Sequence, residues 1–329
     1  MGIAPSIALA IIREAKYRPV RGDVILLGRQ TMMFSPHDAF AMIRNAGLTP
    51  VEPPAGEDVI DRRTDLARGR DWIRDDAFFR ALGASSVRAV DHTAYEGAEI
   101  VHDLNKPIPV ALEGSADFII DGSTLDNVFN PAICIQNVAR MLRHGGRYIA
   151  VNVGSPHLNP YTIVSPYWLL DFFAANDFAD CRVYFALHGR RGELNVYAVD
   201  PADESGPPFH APRQISIVAF AEKGAQSTWD RDPVQRFYSG ETMMAQYRAA
   251  ARRFSSSGRP EILVSDKSLP LRLPLMHLAV EHYRMVRLIA DHFPMVGNDG
   301  RRRKISYPRQ SFAIGRALKR FLRINLRID

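Results

Sequence analysis

The sequence predicts a doubly wound α/β fold, with a mostly parallel sheet and a helical C-terminal extension. Three observations carry this. The segment Asp117 to Asn130 runs from an apolar stretch into a polar loop, a helical run continues to Leu142, and Gly145-Gly146 then opens a second apolar stretch ending at Val153. Such short apolar runs, alternating with a helix, mark strands buried on both faces of a parallel sheet. Two helices are announced by the same device, a serine N-cap followed by proline, at Ser35-Pro36 and Ser165-Pro166.

In chain order, Ile7 to Ile12 is an apolar run too short for a membrane span, and it leads into Arg13-Glu14-Ala15-Lys16. No basic region precedes it, so it is not expected to be a signal peptide but a surface helix packed on the domain. Asp23 to Gly28 is a buried strand ending in glycine, and the capped helix from Ser35 runs to about Asn45, stopped by Gly47. Residues 48 to about 70 are rich in Pro, Gly and charge and form an irregular connection. A short helix follows from Asp75 to Leu82. Ser86–Asp91 and Glu99–Asp103 are strands ending in acids, Phe118–Asp121 is the fourth strand and Tyr148–Val153 the fifth. The Ser165 helix runs through Ala175. Strands follow at 182–187, 194–199 and 214–220, then helices at about 241–253 and 275–292. The expected organisation is a main domain over 1–240, a helical extension over 241–300 and a basic tail over 301–329.

With 329 residues, 46% apolar and 24% charged, the composition is that of a globular protein. The two cysteines, Cys134 and Cys181, are far apart in apolar settings, without metal-binding spacing. They read as reduced thiols of a cytoplasmic protein, and no metal site is expected. The net charge of +6 is misleading. Residues 301–329 hold ten Lys/Arg and one acid, so the other 300 residues carry −3. The basic character belongs to the tail, which weakens a nucleic-acid reading built on the whole chain.

The acid-ended strands, the polar loop after strand four and the step Met141-Leu142-Arg143-His144-Gly145-Gly146 resemble class I S-adenosylmethionine (SAM) dependent methyltransferases, over roughly residues 20 to 240. The resemblance implies a Rossmann-like methyltransferase fold, SAM as cofactor and methyl transfer to oxygen or nitrogen of a small-molecule or glycan-type acceptor, with surface-polysaccharide synthesis as setting. It also implies the site. Asp91, ending strand two, is placed to accept from the ribose diol, since vicinal hydroxyls can donate two bonds to one carboxylate. Asp103, after strand three, is placed to accept from the adenine amino group, with Leu104 offering an apolar edge to the ring. Gly28 turns the first strand towards its helix. Asp121, Gly122, Asp126 and Asn127 match the loop that covers the sulfonium end. Asp126 and His157, the latter in the loop after strand five, are the catalytic candidates, His157 as a base for an acceptor hydroxyl.

The loop after the first strand departs from the family pattern. Leu26 stands where the family has an acid, and Gln30 and Met32 stand where it has glycines. Glycines there let the backbone approach a ligand closely. Gln30 therefore either contacts the cofactor or fills its pocket. In the second case the chain is a methyltransferase-like binding or scaffold protein without catalysis. The tail carries a separate signal. As a helix, it places Ile314, Leu318, Phe321, Leu322 and Ile328 on one side and Arg316, Lys319, Arg320, Arg323 and Arg327 on the other. That pattern suits either an interfacial helix of residues 311–329 on the anionic inner face of a membrane or a helix packed on the body.

Overall fold

The computed structural model describes residues 2–155, 160–188, 194–202, 214–256, 295–296 and 302–303. The chain divides into two compact units, Met1–Asp266 and Lys267–Asp329. In the second, the described residues are a short antiparallel pair, Met295–Val296 with Arg302–Arg303. The helix expected at 275–292 and the tail 311–329 lie outside the described residues.

The first unit opens with β1 (Gly2–Ile3), α1 (Pro5–Tyr17), β2 (Asp23–Leu27), β3 (Thr31–Met32), α2 (Pro36–Asn45), α3 (Asp75–Ala81), β4 (Ser86–Asp91), β5 (Ile100–Val101) and β6 (Ala116–Asp121). It continues with α4 (Pro131–Met141), β7 (Leu142–Val153), α5 (Pro166–Ala175), β8 (Asp180–His188), β9 (Leu194–Ala198), β10 (Ile215–Glu222) and α6 (Glu241–Ser255). Eight strands form one sheet in the order β5-β4-β2-β6-β7-β10-β8-β9. The first five are parallel. β10 runs against both its neighbours, and β9 runs against β8. This is a class I methyltransferase-like, doubly wound α/β fold: five parallel strands, then a reversed strand inserted before the next parallel one.

Alternate side chains of β2 show why both faces must be covered. Val24 and Leu26 enter a core with Ile7, Ile11 and Ile12 of α1, Ala39 and Ile43 of α2, and Phe78 and Phe79 of α3. Ile25 and Leu27 enter the opposite core with Ile135 and Val138 of α4, and Leu169, Phe172 and Phe173 of α5. Leu26, at the position where an acid was the family's expectation, is fully buried. Tyr247, Ala250 and Phe254 of α6 complete the second core. The helix beyond residue 240 thus shares the apolar interior of the first unit.

Two strand boundaries differ from expectation. β5 is only two residues long, and Val101 within it is exposed, so little apolar burial extends it. β7 begins at Leu142 instead of Tyr148 and passes through Gly145-Gly146, with a register shift against β6 between Ala116 and Phe118. Gly145 has φ +81°, and a Cβ on Gly146 would lie 2.8 Å from the Arg143 carbonyl oxygen. The glycines let the strand bend where side chains could not.

Sequence connectivity leaves β2 for β4 and β5 on one side, then returns to β6 and β7 on the other. The winding direction switches between β2 and β6, where a doubly wound sheet opens a crevice at its carboxyl edge. No helix among the described residues is long and apolar enough to cross a membrane.

Candidate functional site at the carboxyl edge

The loops after β2 and β6 meet at this switch point. Gly28 has φ +71°, which turns the chain sharply off β2, and its N–H donates to the Val90 carbonyl at 2.7 Å. Arg29 then dives into the protein. Its guanidinium is fully buried, bonded to Asp75 at 3.3 Å, to the Gly97 carbonyl at 2.8 Å and to Glu99. The backbone N–H of Gln30 donates to the other Asp75 oxygen at 3.0 Å. The loop is therefore anchored to α3 and to the segment before β5.

Gln30 is fully buried. Its Nε2 donates to the Leu27 carbonyl at 2.8 Å and the Gly28 carbonyl at 3.1 Å. Two converging acceptors fix the amide orientation, because only the nitrogen can donate. Its Oε1 is turned to the opposite side and has no hydrogen-bond partner. It lies against Gly122, where an added Cβ would be 2.0 Å from Oε1. Gln30 thus occupies space that a glycine would leave open, and it places an unsatisfied acceptor there. Met32, the other substituted position, is fully buried in the core beneath α1 and α2.

The loop after β6 is organised by two buried acids. Asp121 accepts from the backbone N–H of Thr124 at 2.6 Å and of Leu125 at 3.4 Å, from the Tyr148 hydroxyl at 2.7 Å and from Asn152 Nδ2 at 3.0 Å. Burial pushes its carboxyl above the usual carboxylate range, against the pull of Asn152 and Tyr148. Burial, and then the charge of Asp121, pushes the Tyr148 phenol well above its ordinary value. Asn152 is also fully buried, and its Oδ1 has no partner. Ser123 adopts φ +79°, a left-handed conformation uncommon for a serine. Its hydroxyl bonds to both Asp126 oxygens, at 2.8 and 2.9 Å.

Several sequence assignments are corrected here. Asp126, a catalytic candidate, is fully buried, and its carboxylate also accepts from Asn127 Nδ2 at 2.9 Å and from the backbone N–H of Val153. It holds the loops after β6 and β7 together and has no open approach for an acceptor. Leu104 does not offer an edge at the surface. It is buried with Ile108 and Leu112 beneath α4, and Asn137 Nδ2 donates to its carbonyl at 3.3 Å. Asp121 supports the loop through its four bonds, so its carboxylate is not an open cofactor contact. His157 lies outside the described residues.

Asp91 and Asp103 stand at the carboxyl edge. Asp91 is half-buried, and one carboxylate oxygen accepts the N–H of His92 at 2.6 Å. The backbone holds the second segment beside it, since the His102 N–H donates to the Asp91 carbonyl at 2.8 Å. Asp103 accepts from Asn105 at its backbone N–H, 3.0 Å, and at Nδ2, 2.9 Å. The Asn105 side chain holds the Asp103 carboxyl below its usual value. Gly28, Gln30 and Gly122 thus come together with the ends of β4 and β5 along one edge.

Sequence reading missed Arg29, Asp75, Tyr148 and Asn152. Thr124 Oγ1 donates to the Leu27 carbonyl, tying the two loops directly. One signal was available: Arg29, Gln30 and Thr31 interrupt a run that is otherwise apolar, and polar side chains inside such a run need buried partners. A cleft of about 520 Å³ lined by Arg18, Arg21, Asp117, Arg147 and Glu222 lies at the opposite, amino edge and takes no part in this site. No group of three or more His, Cys, Asp or Glu among the described residues is arranged to hold a metal.

No family model and no curated protein matches the chain. Solved structures of similar fold include a SAM-dependent methyltransferase from Thermotoga maritima, described as a possible histamine N-methyltransferase. It is 14% identical, with 66% of this chain and 91% of that one covered and a TM-score of 0.31. A putative methyltransferase from Bacillus halodurans is 12% identical over 66% of this chain and 99% of its own, with a TM-score of 0.34. The 1,6-didemethyltoxoflavin-N1-methyltransferase of Burkholderia thailandensis, solved with bound 1,6-didemethyltoxoflavin and S-adenosylhomocysteine, is 13% identical over 67% of this chain and 78% of its own, with a TM-score of 0.26.

Proposed function

We propose that the protein is a SAM-dependent methyltransferase that methylates an oxygen or nitrogen of a small-molecule or glycan-type acceptor. The observation that carries this is the meeting of Gly28, Gln30 and Gly122 with the acid-ended strand β4 and the segment after β5 at the switch point of the sheet, where the Oε1 of Gln30 is left without a partner. An acceptor left unsatisfied in the interior costs about 1–3 kcal/mol, which a cationic N–H donor on a ligand offsets. The α-ammonium of SAM is such a donor. The unpartnered Asn152 Oδ1, on the strand beside this loop, is a second acceptor of the same kind.

SAM supplies a methyl group on a positively charged sulfonium. The residues of this chain bind and orient. Asp91 accepts from the ribose hydroxyls, Asp103 faces the base, and Gln30 accepts from the amino-acid end. Asp121 and Asp126 act indirectly, by holding the loop after β6 in its left-handed turn at Ser123. Positioning provides most of the rate in such a transfer, and His157 is the base for a hydroxyl acceptor. The buried cysteines Cys134 and Cys181, far apart in the sequence, suit a cytoplasmic setting, and surface-polysaccharide synthesis is the proposed context.

Calorimetric titration with SAM tests the reading. Binding is expected, and Asp91→Ala should weaken it by about 1.5–3 kcal/mol, the range for hydrogen bonds to a charged group. No heat at millimolar ligand with the unaltered protein would overturn it. The second reading, a scaffold without catalysis, is favoured by the full burial of Gln30 beside Gly122, where a glycine would leave space open.

A further inference from the structure

The loops after β2 and β4 carry opposite ends of the proposed cofactor site, with Gln30 in the first and Asp91 at the root of the second. One buried side chain joins them. From the first loop, the Arg29 guanidinium reaches the Gly97 carbonyl at 2.8 Å and the Glu99 carboxylate in the second. Glu99 carries the contact onward, because its other carboxylate oxygen accepts the backbone N–H of Ala89 in β4 at 2.7 Å. On the near side Arg29 bonds to Asp75 at 3.3 Å, and the second oxygen of that acid accepts the Gln30 N–H at 3.0 Å. A continuous path of bonds therefore runs from Gln30 through Asp75, Arg29 and Glu99 to Ala89, two residues before Asp91.

Stability alone does not account for this arginine. Taking charges out of water is costly, and a buried ion pair often contributes no more than apolar residues of the same volume. The cost is raised further because Arg29 Nε is buried without a hydrogen-bond partner. Asp75 does not depend on Arg29 for neutralisation, since Arg63 bonds to the same oxygen at 2.7 Å. What the guanidinium supplies is direction. Its two terminal nitrogens bond to three acceptors, one on α3 and two in the second loop, and a planar fork fixes such a set where a point charge does not. The second loop has other ties, from the Tyr95 hydroxyl to Asp65 at 2.7 Å and from the Asp65 N–H to Glu96 at 3.1 Å. Both lie at the exposed surface, where water competes for them, and neither leads to Gln30.

We propose that Arg29 is a positioning residue: a buried latch that holds the Asp91 end of the site in one geometry relative to the Gln30 end. That these are two ends of one cofactor site rests on the methyltransferase reading, but the latch itself can be measured without SAM. Amide hydrogen exchange on the full chain, read on peptides covering 28–34 and 92–99, follows each loop separately. Arg29→Lys keeps a charge beside Asp75 but cannot make the fork. Glu99→Gln leaves one oxygen for two donors, at a side chain that is 42% exposed and so tolerates the change. Each variant should speed exchange about tenfold in the loop on the other side of the latch: 92–99 for Arg29→Lys and 28–34 for Glu99→Gln. Strands β7 and β10 should exchange as before. Tyr95→Phe, which cuts only a surface tie, should change neither loop. Calorimetric titration of the two latch variants with SAM should show affinity about tenfold lower, the size of one lost hydrogen bond to a charged group.

The latch is overturned if the far loop exchanges at its original rate, or if Tyr95→Phe loosens the loops as much as Glu99→Gln does. It is also overturned if exchange rises equally in β7 and β10, because Arg29 would then hold the fold as a whole and not these two loops. Faster loop exchange with unchanged SAM affinity would overturn the positioning role. If the unaltered protein takes up no SAM, the methyltransferase reading falls, and loop exchange alone decides whether Arg29 couples the two loops.

Discussion

Gln30 fills, with its own amide, the space that a glycine would leave open beside Gly122. A glycine leaves room for a ligand to reach the backbone carbonyls of Leu27 and Gly28, whereas Gln30 satisfies both with its own Nε2 and presents Oε1 in exchange. If that oxygen receives the cationic end of SAM, Gln30→Gly should weaken SAM binding by about 1.5–3 kcal/mol, the range for a hydrogen bond to a charged group. Calorimetry on the variant decides it: a gain in affinity would mean that the amide blocks the pocket, and the scaffold reading would replace the enzyme. Gly122 is coupled to the same side chain. A methyl group there would lie 2.0 Å from Oε1, so Gly122→Ala must push the amide off its two carbonyls. The expected cost is about 1–3 kcal/mol of folding stability, as for overpacking elsewhere. In the double variant with Gln30→Ala the clash is gone, and denaturant titration should show the two costs to be strongly non-additive. Simple additivity would mean the two residues do not touch.

At the scale of the elements, the sheet is stitched at its amino edge by one arginine. Arg143, at the start of β7, bonds to Asp23 on β2 at 2.8 Å and to Asp117 on β6 at 2.5 Å, while Ser86 on β4 donates to Asp23 at 2.5 Å. The Ser86 hydroxyl, and then Arg143, holds the Asp23 carboxyl below its ordinary value of 3.8. A lowered folded value means a contribution to stability that is complete above 3.8 and lost as pH falls through the folded value. Asp23→Asn should therefore melt below the unaltered protein at neutral pH, and the gap should close in acid below that value. A gap that is constant with pH would show that the charge of Asp23 plays no part.

The strands around this stitch were largely legible, because β2, β4 and β6 are apolar runs with clear ends. The start of β7 was not, since its Gly145-Gly146 bend looks like a turn in sequence and is continuous strand in space. The candidate site divides in the same way. The position of Asp91 and Asp103 at the carboxyl edge was legible, because each follows an apolar strand run. The burial of Gln30, Asp126 and Leu104 was not, because it depends on which loop packs against which: Thr124 reaching Leu27 across the switch point and Val153 reaching Asp126 from β7 are contacts between distant segments.

For the whole molecule, charge is the property that distinguishes the ends of the chain. The body is slightly acidic, and all of the excess positive charge lies after residue 300, on a segment whose apolar residues Ile314, Leu318, Phe321 and Leu322 recur at helical spacing. Charge and apolar stripe on one segment are what reversible attachment to an anionic membrane surface needs, and each basic residue near such a surface adds about 1 kcal/mol. The attraction must be screened by salt, since the Debye length falls from about 10 Å at 0.1 M to about 3 Å at 1 M. The full chain is expected to co-sediment with phosphatidylserine vesicles at low salt and to be released at high salt. Deleting residues 311–329 should abolish that binding and leave the melting temperature and SAM affinity of the remainder unchanged. A tail packed on the protein gives the opposite pair of results: no vesicle binding by the full chain, and a lower melting temperature after deletion because the apolar stripe has lost its place. That second pair would rule out the membrane role and make the tail a part of the protein's own interior.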